Sequence, residues 1–158
     1  MDQAPVQNVD VVQSLETTLT ILNHKLKHGV EVERDYQPLP LLVDSFGSEL
    51  NQVWTNIIDN AIDAMHGKGK LRVRTYQENT CVVVEIGDSG PGIPADIQPH
   101  IFEPFFTTKG VGEGTGLGLD TAQRIVKKHG GSIQVNSKSG DTRFQVLLPL
   151  ASAQRRKE

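Results

Sequence analysis

The segment ELNQVWTNIIDNAIDAM, residues 49–65, constrains the fold more than any other, because it has the pattern of a long helix with one apolar face. Its apolar residues lie at positions 50, 53, 54, 57, 58, 61, 62 and 65, which fall on one stripe of an α-helix. A helix with such a stripe is stable when the stripe is buried against a second layer of structure. The segment therefore predicts a layered fold.

The rest of the chain alternates between helical and strand-like patterns. A helix is predicted over residues 10–29, with Asp10 as its N-cap and Gly29 as its end, and another from about Leu119 to His129. Strands are predicted in VEVERDY (30–36), LRVRTYQ (71–77), CVVVEIGD (81–88), SIQVNS (132–137) and TRFQVLLPL (142–150). We expect an α/β fold, a two-layer sandwich with helices on one face of a mixed, mainly antiparallel sheet.

Length and charge restrict the classes of protein to which the chain can belong. With 158 residues it is long enough for one domain, and its net charge of -3 gives no reason to expect nucleic-acid binding. The single cysteine, Cys81, excludes an internal disulfide, and no apolar run has the length of a membrane span. We expect a cytoplasmic protein without membrane contact, consisting of a linker (1–8), one domain (9–150) and a flexible tail (151–158).

A run of alternating glycines precedes the last predicted helix. In TTKGVGEGTGLGLD, residues 107–120, glycine stands at positions 110, 112, 114, 116 and 118. Such a loop can turn its backbone amides toward phosphate oxygens, and the following helix N-terminus adds further amides. Neither G-x-x-x-x-G-K-[ST] nor G-x-G-x-x-G occurs, however. A flexible linker explains this run about as well as a phosphate site does.

The polar side of the helix at 49–65 carries two asparagines one turn apart. Asn56, Asp59, Asn60 and Asp63 share one stripe, opposite the apolar one. Asparagine is a mediocre helix former, so its repetition on one face calls for a reason. The stripe is either a solvated polar face or a Mg²⁺ site, at which amide oxygens supply some ligands and substrate phosphates supply others.

The segment GDSGPGIP, residues 87–94, places a carboxylate at the end of a strand and beside glycines. Asp88 ends the β-branched run, and Gly90 and Gly92 leave space next to it. A carboxylate in such a place can accept a hydrogen bond from the amino group of a flat heterocycle. An ordinary Asp-Ser-Gly-Pro turn explains the same residues equally well.

Taken together, the three segments resemble the ATP-binding catalytic domain of sensor histidine kinases, in the superfamily that also holds gyrase, heat-shock chaperone and mismatch-repair ATPases. QVWTNIIDNAIDA resembles the N-box, DSGPGIP the first glycine box, IFEPFFTTK the F-box and GEGTGLGL the second glycine box. The ending GGSIQVNSKSGDTRFQVLLP is similar to the last hairpin of the family. The resemblance covers about residues 9–150 and implies a Bergerat-type fold that binds ATP and Mg²⁺.

The resemblance also implies roles for single residues. Asp88 would accept the exocyclic amine of adenine, Thr142 would support the base through a water, Asn60 would ligate Mg²⁺, and Asn56 would lie near the phosphates. Asn56, Asn60 and Lys109 would be the catalytic residues, Lys109 as a charge partner of the γ-phosphate. The remaining nucleotide-binding residues would be Asp63, Gly90, Gly92, Ile93, Gly114, Thr115, Gly116, Leu117, Gly118 and Leu119. The glycine loop would be an ATP lid, anchored by Phe105 and Phe106.

The same comparison favours a kinase over a hydrolase. Superfamily members that hydrolyse ATP carry a glutamate, the general base, one turn before the metal-binding asparagine, and here that position is Asn56. An amide cannot take a proton from water, so the nucleophile is expected to come from a partner. Asp63 departs from the basic residue that many relatives carry there. Asp59 could assist proton transfer, although its side chain points about 100° away from that of Asn60.

A phosphoacceptor histidine in this family usually lies on a helical hairpin and is followed by an acidic residue and then a proline. The chain has five histidines, His24, His28, His66, His100 and His129, and His24 is followed by neither of these residues. His24 and His28 are expected on the polar side of the first helix, and His129 at a helix C-terminus. We therefore expect an acceptor histidine on a dimerisation domain outside the chain, a response regulator downstream, and a monomer when the domain is isolated. The chain would be the excised catalytic domain of a longer kinase or a stand-alone subunit. A nucleotide-gated interaction module and a serine kinase of the anti-sigma-factor type remain alternatives.

Overall fold

The computed structural model describes residues 6–46, 48–104 and 118–151. Its helices are α1 (Val11–Ile21), α2 (Asn23–Leu26), α3 (Glu49–Ala64) and α4 (Gly118–Lys128), with a short 3-10 helix at Gln98–His100. Its strands are β1 (Val6–Asp10), β2 (Val30–Tyr36), β3 (Leu42–Phe46), β4 (Gly69–Glu78), β5 (Cys81–Asp88), β6 (Ser132–Lys138) and β7 (Asp141–Pro149). None of these helices is long and apolar enough to cross a membrane.

The main sheet has five strands in the order β2-β4-β5-β7-β6. Strand β2 runs parallel to β4, and the other three pairs are antiparallel. The expected mixed, mainly antiparallel sheet is therefore confirmed. Both predicted hairpins are present, and the register of β5 on β7 sets Asp88 opposite Thr142.

The helices bury their apolar stripes on one face of this sheet. Trp54, Ile57 and Ile58 of α3 are fully buried, as are Val84 of β5 and Val146 of β7, and all five belong to one core cluster. Burying side chains of this size contributes about 1.5–3 kcal/mol each. The predicted two-layer sandwich is thus the observed architecture, and α3 is held rigidly with its polar side outward.

The opposite face of the main sheet carries charged side chains in alternation. Arg72 pairs with Glu33, and Arg74 lies 3.6 Å from Asp35 while its guanidinium stacks over the Tyr76 ring. These ion pairs are largely exposed, so each contributes little to stability. They keep this face of the sheet exposed to solvent. In the part of the chain that the structure describes, the helices pack on the other face.

Two features differ from the sequence-based prediction. Strands β1 and β3 form a separate two-stranded sheet, which no local pattern indicated. Strand β1 begins at Val6, so part of the segment expected as a linker (1–8) is paired structure. The first helix is also interrupted at Leu22, whose backbone N–H bonds to Thr18 before α2 starts. The tail at 152–158 lies outside the described residues.

Candidate nucleotide-binding site

Asn56 and Asn60 lie half-buried on the polar side of α3, one turn apart as predicted. The Asn56 side chain is held at both ends: its Nδ2 donates to the Gly118 carbonyl at 2.9 Å, and its Oδ1 accepts from Gln52 Nε2 at 2.8 Å. A Cβ on Gly118 would lie 3.9 Å from the Cβ of Asn56. The structure therefore brings the end of the second glycine box directly against the N-box helix.

Asp88 is buried at the end of β5, with 6% of its surface exposed. Its Oδ1 accepts a hydrogen bond from the backbone N–H of Gly90 at 2.9 Å. Burial raises the pKa of the Asp88 carboxyl, the Gly90 hydrogen bond opposes that rise, and the nearby charge of Asp141 adds to it. Among the residues that the structure describes, this carboxylate has one backbone donor, so it retains acceptor capacity for a further donor.

The end of α3 lies beside this carboxylate. A Cβ on Gly90 would be 3.1 Å from the carbonyl oxygen of Ala64, so a side chain there would press on the helix. Asn60 stands four residues before Ala64, which corresponds to about 6 Å along the helix axis. The Asp88 end of the first glycine box therefore lies against the C-terminal end of α3, and Asn60 and Asn56 lie one and two turns before that end.

Thr142 lies at the start of β7, directly across from Asp88 and buried. Its Oγ1 is 2.6 Å from the hydroxyl of Ser137. The same serine hydroxyl accepts the backbone N–H of Ile93 at 2.8 Å. The structure thus brings together Asp88, Thr142 and Ile93, three residues predicted for the site from distant parts of the sequence.

The first glycine box is packed on the β6–β7 hairpin. Gly92 has a φ of 96°, and a Cβ there would lie 2.8 Å from the Lys138 carbonyl oxygen. The backbone N–H of Gly140 donates to Gly90 at 2.9 Å. Gly90 and Gly92 are therefore required by close backbone approach, which gives their positions a physical reason beyond the turn that the sequence suggested.

A cavity of about 310 Å³ opens at this end of the sheet. Its lining residues are Lys70, Arg72, Glu85, Gly87, Asp88, Ser89, Gly140, Asp141 and Arg143. A larger depression of about 500 Å³ lies on the charged face of the sheet, and it shares Arg72, Glu85 and Arg143 with the smaller cavity. The smaller cavity therefore reaches Asp88 from the charged face, and its lining includes neither the α3 asparagines nor Thr142.

The two aspartates of α3 take different positions. Asp59 accepts a hydrogen bond from Lys25 Nζ at 2.8 Å, an interaction that raises the pKa of Lys25. Asp63 is exposed on the same helix, and its charge also raises the pKa of Lys25. Asp59 is therefore directed toward α2, away from the groove edge that holds Asn60.

Leu119 packs partly buried against the core at the start of α4. The remaining predicted residues, Lys109, Gly114, Thr115, Gly116 and Leu117, lie outside the described residues, as do Phe105 and Phe106.

Sequence reasoning missed Ser137, Gln98 and Gln52. Gln98 Nε2 donates to the carbonyls of Ile93, at 2.8 Å, and Ser137, at 3.4 Å. A signal for Ser137 was present: in SIQVNSK it falls on the same face as the half-buried Ile133 and Val135. A serine continuing an apolar stripe indicates a buried hydrogen-bond partner.

Comparison with known proteins defines the class to which this fold and groove belong. Residues 47–152 match the family described as histidine kinase-, DNA gyrase B-, and HSP90-like ATPase, and the chain belongs to this family of ATP-binding domains. More particularly, its curated relatives are sensor histidine kinases, and its fold is similar to the catalytic domains of histidine kinases. The nucleotide-binding fold inferred from the sequence motifs is thereby confirmed.

One relative and two solved structures support this assignment. The sensory histidine kinase/phosphatase NtrB of Rhodobacter capsulatus is 40% identical over 139 residues, which cover 78% of this chain and 38% of NtrB. The nucleotide-free catalytic domain of histidine kinase ThkA superposes with a TM-score of 0.84 at 28% identity, over 92% of this chain and 96% of that one. Full-length ShkA in complex with AMPPNP superposes with a TM-score of 0.81 at 25% identity, over 95% of this chain and 32% of ShkA. The chain thus spans less than half of NtrB.

Proposed function

We propose that this chain binds ATP with Mg²⁺ and transfers the γ-phosphoryl group to a histidine on a dimerisation domain outside the chain. The observation that carries the proposal is the placement of Asp88, a buried carboxylate with spare acceptor capacity, across from Thr142 and beside the end of α3. The neighbour ShkA was solved with AMPPNP, an ATP analogue, which supports the choice of nucleotide.

In this proposal Asp88 selects the base. Its carboxylate accepts the exocyclic amine of adenine, and Thr142 supports the base from the opposite strand through a water. Guanine carries a carbonyl oxygen in place of that amine, so it would set an acceptor against an acceptor. Because a buried polar group left unpaired costs about 1–3 kcal/mol, this contact alone can distinguish the two purines.

The asparagines of α3 serve the triphosphate. Asn60 supplies an amide oxygen to Mg²⁺, with Asn56 near the phosphates. The described residues contain no group of three His, Cys, Asp or Glu side chains able to hold a metal. Mg²⁺ commonly keeps several waters and takes further ligands from substrate phosphates. Mg²⁺, when bound, supplies charge neutralisation at the β- and γ-phosphates. Lys109 and the glycines 114, 116 and 118 would add their charge and backbone amides.

The arrangement favours phosphoryl transfer over hydrolysis. Asn56 occupies the place of a general base but is neutral, and Asp59 is occupied by Lys25. Among the chain's own histidines, His129 is buried with its Nε2 at 2.9 Å from Ser45 Oγ and its Nδ1 bonded to the Ile125 carbonyl. His129 is therefore an unsuitable acceptor. In this proposal the acceptor histidine lies on the dimerisation domain outside the chain, and the transferred group would pass from it to a response regulator.

The test is transfer of labelled phosphate. The chain is mixed with the dimerisation domain of its parent kinase, γ-labelled ATP and Mg²⁺, beside the same mixture with the acceptor histidine replaced by glutamine. Label that is lost in acid, retained in base and absent from the glutamine variant supports the proposal. Acid-stable label would instead indicate a serine kinase, and tight ATP binding without labelling would indicate a nucleotide-gated interaction module.

The proposal extends to assembly and location. The isolated chain is expected to be a monomer, because dimer contacts in this family lie mostly in the helical hairpin that carries the acceptor, and to act in the cytoplasm without contacting membrane. Light scattering coupled to size exclusion measures the first point. A mass of twice 17.3 kDa would contradict it.

A further inference from the structure

The Ser137 hydroxyl lies where three segments of the site meet. It accepts the N–H of Ile93, from the first glycine box, at 2.8 Å, and it lies 2.6 Å from the hydroxyl of Thr142. Ser137 is on β6 and Thr142 on β7, as direct partners in the hairpin register. This one side chain therefore connects the glycine box to the residue that faces Asp88.

A hydroxyl group has the capacity to make both of these hydrogen bonds at once. A serine hydroxyl has one hydrogen to donate and two lone pairs to accept. The Ile93 N–H donates to one lone pair of the Ser137 oxygen. Accepting this hydrogen bond makes the O–H of Ser137 a better donor. The hydroxyls of Ser137 and Thr142 lie 2.6 Å apart, and either one can donate. Our inference takes the direction in which Ser137 donates to Thr142 Oγ1, which leaves the hydrogen of Thr142 for another acceptor.

The neighbouring contacts hold this serine in place. Gln98 Nε2 bonds both the Ile93 carbonyl and the Ser137 carbonyl, so the two backbones are fastened side by side. Gly140 and Gly90 are linked by a backbone hydrogen bond on the other side. The hydroxyl therefore has little freedom to turn away from Thr142.

We propose that Ser137 is a positioning residue for base recognition: it fixes the Thr142 hydroxyl as a donor directed at the water or ring nitrogen of a bound adenine. The inference rests on the proposed function, because it needs adenine beside Asp88. It assigns Ser137 no contact with the nucleotide. Its effect passes through Thr142, and it is confined to the base and independent of the phosphates and metal.

The first test removes the hydroxyl. Ser137→Ala should weaken binding of ATP and of ADP alike, with and without Mg²⁺, by about fivefold, which corresponds to one net hydrogen bond. Ser137→Thr keeps a hydroxyl on a strand residue and should restore affinity to within about twofold. Ser132→Ala is the matched control, since Ser132 lies on the same strand and is exposed.

The second test asks whether Ser137 acts through Thr142. In a Thr142→Val background, Ser137→Ala should cost less than about twofold in ATP affinity, because the group it positions is gone. An equal loss in both backgrounds, or a loss seen only with Mg²⁺, would overturn the inference. So would a Ser137→Ala variant that binds ATP like Ser132→Ala.

Folding and function are separated by two further measurements. Urea midpoints of all variants identify any that unfold. If Ser137→Ala unfolds, the ATP affinities of Ser137→Thr and Thr142→Val are compared instead. The inference fails if Ser137→Thr binds ATP as weakly as Thr142→Val. If the wild-type chain itself shows no ATP binding, the proposed function is wrong. Wild-type binding with no effect at Ser137 contradicts this inference alone.

Discussion

At the scale of single residues, the role that we propose for Asp88 sets nucleotide affinity against the stability of the fold. Its carboxyl is buried without a cationic partner in the contacts that shift its pKa, and burial accordingly raises that pKa. Because the pKa of Asp88 is higher in the folded state, protonation of its carboxyl stabilises the fold. That contribution is fully present below the pKa of the unfolded chain and is lost as pH rises through the folded value. At neutral pH the ionised group is therefore maintained at a cost to the apo fold.

Asp88→Asn should consequently change affinity and stability in opposite directions. The amide keeps an oxygen for the Gly90 N–H but offers adenine a competing donor, so ATP affinity should fall roughly 5- to 150-fold. The thermal midpoint of the apo protein at pH 7 should rise, since a desolvated charge is removed. Calorimetry measures both quantities. A variant that binds ATP like the wild type would reject the assignment of Asp88 to the base.

The same residue predicts how binding depends on pH. The amine of adenine interacts more strongly with the charged carboxylate than with the neutral acid. ATP affinity of the wild type should therefore fall as pH is lowered through the raised pKa of Asp88, in a window beginning above the ordinary value of 3.8. The ratio of wild-type to Asp88→Asn affinity isolates this effect from other titrating groups. A ratio that stays constant across the acid range would contradict it.

Asn60 is predicted to act on the metal and not on the base. Asn60→Ala should leave the ATP affinity measured in EDTA within about twofold of the wild type. It should abolish the increase in ATP affinity that Mg²⁺ gives. An amide oxygen ligates Mg²⁺, and alanine offers none. Asn136→Ala, an exposed asparagine on β6, is the matched control. An unchanged Mg²⁺ titration would exclude Asn60 as a ligand.

At the scale of secondary-structure elements, prediction from the sequence succeeded where the signal was local. The apolar stripe of α3, the alternation in β4 and β7, and the β-branched run of β5 are each signals within one segment. The β1–β3 sheet was missed because its partners, residues 6–10 and 42–46, are far apart in sequence. Each of these strands has only five residues, too few for a clear period.

Gly92 connects two elements, and its replacement should disturb both. A Cβ on Gly92 would meet the Lys138 carbonyl oxygen at 2.8 Å, in addition to the strain of a φ of 96°. Gly92→Ala should lower the free energy of unfolding by about 1–3 kcal/mol and weaken ATP binding, because the glycine box must move off the hairpin. Urea denaturation and calorimetry measure these effects.

Gly67→Ala provides the control, since Gly67 has a similar φ of 78° but no atom within 4 Å of the added Cβ. It should lose only the backbone strain, about 1 kcal/mol, and keep its ATP affinity. Equal losses of stability and affinity in the two variants would show that the contact with Lys138 has no importance.

At the scale of the whole molecule, the site is assembled from a helix, a strand end and a hairpin. Motif resemblance predicted Asp88, Thr142 and Ile93 one by one, and the structure places them around a single cluster of contacts. Ser137 could not be predicted with equal ease, because its role depends on which atoms of other segments lie within hydrogen-bond distance. Spacing within SIQVNSK only marked it as a polar residue on an apolar face.

This assembly predicts that nucleotide should stabilise the fold as a unit. A ligand at 100 times its Kd adds about 2.7 kcal/mol, which for a domain of this size raises the thermal midpoint by roughly 5–11 °C. ATP with Mg²⁺ should produce this shift, whereas GTP at the same concentration should produce little, because its O6 faces the Asp88 carboxylate. Mg²⁺ alone should be without effect, and Asn60→Ala should remove the part of the shift that depends on the metal. Equal shifts with ATP and GTP would mean that the triphosphate alone is recognised, and the base-binding role of Asp88 and Thr142 would then be wrong.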